Sequence, residues 1–215
     1  MSLGKSVRRA LGRYEPVAIR LYRRRFINLD ALAALIRDAA PEAERILEIG
    51  CGDGALATSV RGAMPSCKFL GIDPGVPRPG AFYEGAMEGI EFTKSTTSEL
   101  LAEATPPFDL VIVCDVVHHV SEGERQQLLV DAAALTAPGG TVAVKEWERS
   151  RSLGYSPAYY ADRWVSGDKT VRFMPRDELD ALIDHAMPGW PTTCEARVPP
   201  RRANLLLTRR RPDVA

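Results

Sequence analysis

Apolar positions recur along the chain in two rhythms, one helical and one strand-like, and the two alternate. Val17, Leu21 and Tyr22 fall at helical spacing and predict a helix over residues 15–26. Asn28 or Asp30 then caps a second helix that ends near Ala40, before Pro41. The apolar run R-I-L-E-I (45–49) predicts a strand, and residues 53–64 a helix. C-K-F-L-G-I (67–72) and G-I-E-F-T-K (89–94) predict the second and third strands. D-L-V-I-V-C (109–114) is apolar throughout, as in a strand buried on both faces of a parallel sheet. A helix follows over 121–137, with Ser121 and Glu124 at capping-box positions and Pro138-Gly139-Gly140 as its stop. T-V-A-V-K-E (141–146) is the fifth strand, and 175–187 a helix with Pro175 in its first turn. Residues 192–198 and 203–208, joined by a short P-P-R-R turn, read as an antiparallel strand pair.

Strands alternating with helices imply an α/β fold with a doubly wound, mostly parallel sheet, whose ligands bind at the carboxyl ends of the strands. Residues 1–40 would form a helical cover over a single domain from 41 to 215. Two segments break the rhythm. Residues 74–89 hold three prolines and four glycines, so the helix usual after the second strand should be short or absent. Residues 148–174 form a long insertion after the fifth strand, an expected substrate lid.

Composition narrows the class. The balance of 45% hydrophobic and 26% charged residues is that of a soluble globular domain. No apolar run approaches the roughly 18 residues that a membrane span requires. The basic start lacks a following apolar stretch, which speaks against a secretory leader. Cys51, Cys67, Cys114 and Cys194 are scattered with no C-x-x-C pair, which fits reduced thiols in a cytoplasm better than disulfides or a metal site. The formal charge of zero hides two basic ends. Residues 1–25 carry eight basic residues against Glu15, and 197–215 carry six arginines against Asp213. No interleaved aromatics accompany them, so a solvated face is the expectation and a nucleic-acid partner is not.

Glu48-x-Gly50-x-Gly52-x-Gly54 lies between the first strand and a helix start, where glycines let backbone turn sharply and approach a ligand. Gly50-x-Gly52-x-x-Ala55 also satisfies the relaxed nicotinamide fingerprint. Glu48 separates the two readings. A carboxylate there repels a pyrophosphate but attracts the ammonium and sulfonium of S-adenosylmethionine. Asp73, ending the second strand, suits ribose hydroxyls with either cofactor, although Asp73-Pro74-Gly75 is also turn chemistry.

The order E-I-G-C-G-D-G, G-I-D-P, F-D-L-V-I-V-C-D-V-V-H-H-V, P-G-G-T-V-A-V resembles class I S-adenosylmethionine-dependent methyltransferases over roughly residues 44–147. The resemblance implies a Rossmann-like sheet of seven strands, the last antiparallel. It implies that Glu48, Gly50, Cys51, Gly52 and Gly54 line the methionine moiety, that Asp73 with Pro74 holds the ribose, and that Cys114 and Asp115 lie beside the sulfonium. Where the family often shows Gly-Asp-Ala, this chain has Ser95-Thr96-Thr97. Thr96 and Thr97 are then the candidates at the adenine, with Thr97 or Ser98 also able to cap the next helix.

Methyl transfer needs alignment of the reacting atoms and, for some acceptors, a base. His118 and His119 follow the fourth strand, and His119 is the preferred candidate. Lys145 and Glu146 end the fifth strand, expected on the same cleft. Asp115 and Lys145 are similar to part of the Lys-Asp-Lys-Glu set of ribose 2′-O-methyltransferases, with Lys5 and Glu195 as the remaining members. The D-x-A-P of those enzymes and the Asn/Asp-Pro-Pro-Tyr/Phe of base-amino methyltransferases are both absent after the fourth strand. In the insertion, Tyr155, Tyr159, Tyr160 and Trp164 could wall an acceptor pocket, with Asp162, Arg163 and Asp168 orienting the acceptor. The expectation is transfer to an O or N atom of a small molecule. The alternatives are an RNA methyltransferase that uses the basic ends, and a cofactor-binding scaffold without activity.

Overall fold

The computed structural model describes residues 26–149, 171–200 and 202–213. The expected helix over 15–26, the body of the insertion and its aromatic candidates Tyr155, Tyr159, Tyr160 and Trp164 lie outside the described residues, as do Lys5, Asp162, Arg163 and Asp168.

Asn28 accepts the Ala31 amide at 3.0 Å and starts helix α1 (Leu29–Ala39), whose Leu32, Ala33 and Ile36 are buried along one face. Strand β1 (Arg45–Ile49) follows, then α2 (Ala55–Ala63), β2 (Lys68–Ile72) and β3 (Ile90–Thr93). No helix forms between β2 and β3, as the prolines and glycines of 74–89 foretell. Helix α3 (Thr97–Ala102) opens with a reciprocal capping box, in which Thr96 Oγ1 accepts the Glu99 amide and Glu99 Oε2 accepts that of Thr96. Thr96, and neither Thr97 nor Ser98, is therefore the cap.

Strand β4 (Phe108–Cys114) leads through a 3-10 turn (Val117–His119) into α4 (Glu122–Ala134). At α4 the expected capping box does not form. Ser121 donates to the Glu124 carboxylate, but its side chain accepts no backbone amide. The helix also stops short of Pro138. Pro138-Gly139-Gly140 lies inside β5 (Thr136–Trp147), where the β4 pairing jumps from Phe108–Thr136 to Leu110–Thr141. A bulge absorbs the extra residues, a place where Pro and Gly are tolerated within a strand. Helix α5 (Arg176–Ala186), with Pro175 at its N-cap rather than in its first turn, and strands β6 (Thr192–Arg197) and β7 (Asn204–Arg210) complete the chain.

The sheet order is β3-β2-β1-β4-β5-β7-β6, with β7 antiparallel to β5 and β6. Residues of one parity face one helical layer and those of the other parity the opposite layer. Leu47, Val111, Val113, Val142 and Val144 pack with Leu129 of α4 and Ile183 of α5. Ile46, Leu110, Ile112 and Ala143 pack with Ile36 of α1 and Val60 of α2. The strand order reverses between β1 and β4, so a crevice is expected at their carboxyl ends, where the glycine loop and the His118 turn lie.

Candidate active site

The floor of the crevice is the loop after β1. Gly50, Gly52 and Gly54 all have positive φ, at 72°, 52° and 84°. At Gly50 a Cβ would lie 2.4 Å from a Val116 methyl, so glycine is required by space as well as by conformation. At Gly52 nothing lies within 4 Å, and backbone is open to an approaching ligand there. Asp73 stabilises this shape. Its Oδ2 accepts the Gly52 amide at 3.0 Å, while Oδ1 accepts the amides of Gly75 and Val76 at 2.7 and 3.1 Å. Asp73 is thus both a turn aspartate and a tether of the glycine loop.

Residues 80–83, which the sequence reading did not single out, close over the loop from the other side. The Gly80 amide donates to Gly52 and that of Phe82 to Asp53, at 3.0 and 2.8 Å. The Phe92 ring lies under three glycines: a Cβ at Gly54, Gly71 or Gly80 would meet it at 3.2, 2.7 or 2.3 Å. The only sequence signal for this clasp was the glycine content of 74–89.

Glu48 is buried in β1. Burial, then the charges of Glu48 and Asp73, push the Cys51 thiol far up, and burial with Asp115 does the same to Cys114. Both remain thiols at neutral pH, which removes them as nucleophiles. Thr96 and Thr97 are committed elsewhere: the Thr96 hydroxyl donates to Glu99, and the Thr97 hydroxyl to buried Asp131 at 2.6 Å.

Past β4, two charged pairs organise the backbone. Lys145 and Glu146 do not share a cleft face as expected, because adjacent strand residues point to opposite sides of the sheet. Lys145 is fully buried, and its ammonium lies 2.7 and 2.6 Å from the two Asp115 oxygens. Asp115 itself has a φ of 55°, sparsely populated for a residue with a side chain, and its amide donates to the Lys145 carbonyl. Glu146 accepts the amides of Val116 and Val117 at 2.9 and 2.7 Å, and its second oxygen meets His118 Nδ1 at 2.6 Å. Burial opposes ionisation of Glu146, yet His118 and the neighbouring donors hold its carboxyl below the ordinary value. Neither Lys145 nor Glu146 reaches the surface; each acts through the residues after β4 that it holds, Asp115 for Lys145 and residues 116–118 for Glu146.

Asp115, His118 and Glu146 offer ligand atoms within 4.8 Å of one another, a spacing that a metal ion could bridge. The Lys145 ammonium already lies against both Asp115 oxygens, where such an ion would have to sit. The family profile described as "Methyltransferase domain" matches residues 47–142, the span that holds the glycine loop, Asp73 and the His118 turn.

The chain belongs to the class I S-adenosylmethionine-dependent methyltransferases.

Among its curated relatives, the ubiquinone biosynthesis O-methyltransferase of Caulobacter sp. (strain K31) is 33% identical over 170 residues, covering 74% of this chain and 66% of the relative. An O-methyltransferase family protein from Burkholderia thailandensis shares the fold with a TM-score of 0.68 and 16% identity, over 87% of this chain and 56% of the other. Human N-acetylserotonin methyltransferase, solved with S-adenosylmethionine, matches with a TM-score of 0.65 and 20% identity, over 85% of this chain and 51% of that one. The chain spans between about half and 66% of the length of these proteins.

The two ends of the insertion meet beside His118. Glu148 bridges to Met174, the Arg149 amide donates to Met174, and that of Arg172 donates to the His118 carbonyl at 3.0 Å. Phe173 packs edge-on to His118 at 4.9 Å and stacks on Trp147 at 6.0 Å. His119 is only partly buried, its ring centroid 4.2 Å from that of His118. Glu195 does not approach Lys145: it lies on β6 and pairs with Arg176 at 2.7 Å. Of the C-terminal arginines, Arg197 pairs with Glu148, Arg209 with Asp184, and Arg211 donates to the Thr136 carbonyl. Among the described residues no helix is long and apolar enough to cross a membrane.

Proposed function

We propose that this chain transfers the methyl group of S-adenosylmethionine to a hydroxyl oxygen of a small phenol-like molecule, with His118 as general base and Glu146 orienting it. The buried His118–Glu146 bond carries the reading.

The residues present fit the cofactor. Gly50, Gly52 and Gly54 in left-handed conformation leave room for close approach, and Glu48 and Asp73 supply negative charge beside them. When bound, S-adenosylmethionine supplies a methyl carbon already activated by its sulfonium. Gly50, Cys51, Gly52 and Gly54 would form its floor, Asp73 with Pro74 would hold the ribose, and backbone near Thr96 and Thr97 would edge the adenine.

The base is assigned by orientation. A carboxylate on Nδ1 sets the proton there and leaves Nε2 as the basic lone pair. Glu146 does this for His118, so the preference moves from His119 to His118. An imidazole takes a proton from a phenol far more readily than from an alkyl alcohol, because the phenol is much the stronger acid. His118 is sealed at 1% exposure, so acceptor binding includes a local opening, the kind of step that often limits turnover. The O-methyltransferase names of the curated relatives agree with an oxygen acceptor.

The test is transfer of labelled methyl to a panel of phenols, anilines and thiols, beginning with 3,4-dihydroxybenzoate. Label on phenolic oxygen, lost in His118→Gln while S-adenosylhomocysteine still binds, is the expected result. Label on nitrogen alone, or full activity in His118→Gln, refutes the assignment. Binding of S-adenosylhomocysteine without transfer to any acceptor would instead mark a cofactor-binding scaffold.

A further inference from the structure

The turn that carries His118 is gripped from both sides by buried charged side chains. Glu146 takes the amides of Val116 and Val117 at the start of the turn. On the other side is Arg125 of α4, 2% exposed, whose Nε donates to the Val117 and Val120 carbonyls at 3.0 Å each. These two carbonyls bracket His118 and His119. No carboxylate pairs with Arg125 among the described residues, and its buried Nη1 has no hydrogen-bond partner there. A buried guanidinium that answers only to two carbonyls is an expensive way to fill space. An apolar side chain would serve α4 packing better.

We infer that Arg125 is a positioning residue for the general base: it fixes the backbone on which His118 stands, so that the imidazole meets Glu146 and keeps Nε2 directed at the acceptor. The inference rests on the proposed role of His118. The mechanism is geometric. Nε ties the first residue of the turn to the residue that follows it, and the turn cannot open without breaking both bonds. Without them, His118 would depend on Glu146 alone, and the 2.6 Å bond would lengthen as the turn relaxed. Sub-ångström displacement of a base is felt in the rate before it is felt in binding.

The experiment compares the full chain with Arg125→Met and Arg125→Lys. Imidazole 1H–15N spectra, with the three histidines assigned by single His→Gln variants, read the ring directly without any acceptor. In the wild type, the Nδ1 proton of His118 should appear as a downfield, exchange-protected line. Arg125→Met should broaden or shift this line, lower the rate of methyl transfer to 3,4-dihydroxybenzoate by roughly 10- to 100-fold, and leave S-adenosylhomocysteine affinity within about threefold. Arg125→Lys, which can still reach one carbonyl, should recover part of the line and of the rate. An unchanged His118 line in Arg125→Met overturns the inference, whatever happens to melting temperature. So does a loss of cofactor affinity matching the loss of rate, which marks a role in general folding. If the line moves but the wild type methylates no phenol, the positioning role stands and the proposed reaction falls.

Discussion

Glu146→Gln tests the base assignment most sharply, because the substitution changes which group donates and almost nothing about shape. Glu146 accepts three hydrogen bonds from one sealed position, two from backbone amides and one from His118. A glutamine oxygen can keep the two amides. Its NH2 then faces Nδ1, where it can only donate, so His118 must carry its proton on Nε2 instead. The lone pair meant for the acceptor is lost while the fold survives. On stability, bonds to a charged acceptor contribute about 1.5–3 kcal/mol and neutral ones about 0.5–1.5. Relief of the buried charge offsets part of the difference, which leaves a net loss of about 1–3 kcal/mol. For a domain of this size, each kcal/mol moves the melting temperature by about 2–4 °C. The expected fall is therefore about 2–12 °C.

The rate should respond far more. Inverting the tautomer of an oriented catalytic histidine costs about 10⁴-fold in the serine-protease case, and general base catalysis contributes roughly 10²- to 10⁴-fold. Turnover should fall by about 10²- to 10⁴-fold, with S-adenosylhomocysteine affinity held within a few-fold. The assay is initial-rate transfer of labelled methyl at saturating cofactor, paired with calorimetry for S-adenosylhomocysteine. Turnover within about threefold of wild type, beside a lowered melting temperature, would make Glu146 a structural clamp and refute the reasoning. Glu146→Ala is a poorer probe, since it strands three donors and costs about 3–5 kcal/mol.

Asp73→Ala removes the carboxylate that holds the Gly52 amide and the 75–76 turn, and should weaken S-adenosylhomocysteine by roughly 10- to 100-fold; an unchanged calorimetric Kd would misplace the site. Gly50→Ala and Gly52→Ala should separate space from conformation. Both lose roughly 1–2 kcal/mol from positive φ, but only Gly50→Ala meets a side chain, at 2.4 Å, so its melting temperature should fall distinctly further. A third expectation concerns acid. Because the Glu146 carboxyl lies below its ordinary value of 4.5, its contribution to stability is complete above that value and decays as pH falls through the lower folded one. The melting temperature should drop more steeply below pH 4.5 in the wild type than in Glu146→Gln, and parallel curves would remove Glu146 from the account.

The parallel strands β1, β2 and β4 were legible because each is a short apolar run with a clear boundary, and in a buried parallel sheet nothing else competes with that signal. R-I-L-E-I coincides with β1 to the residue. Local chemistry was less legible wherever two neighbouring residues offered the same group. Thr96, Thr97 and Ser98 are all plausible caps, and the choice fell to Thr96 because only Thr96 stands three residues before Glu99. The motif D-V-V-H-H offers two imidazoles in the same way, and the partner that distinguishes them comes from β5, 28 residues away. Pro138-Gly139-Gly140 misled for a related reason: punctuation in sequence marks a break in regular backbone, but a bulge and a helix stop both satisfy it.

Lys145 and Glu146 show what such neighbours can do once the sheet is built. Read in sequence, they form one polar patch at a strand end. The pleat sends them to opposite faces, and each finds a different piece of the segment after β4: Lys145 takes the left-handed Asp115, and Glu146 takes the amides and imidazole of the His118 turn. Two successive residues of β5 therefore hold four successive residues, 115 to 118, in a conformation that those residues would not adopt alone, with Asp115 at a φ of 55°. In the proposed reaction, rigidity at this point is worth the desolvation of two charges, because His118 as base and Asp115 must keep a fixed separation from acceptor and cofactor. The sheet supplies that fixed separation, since β4 and β5 are hydrogen-bonded neighbours up to Cys114–Lys145, the last pair before the turn begins.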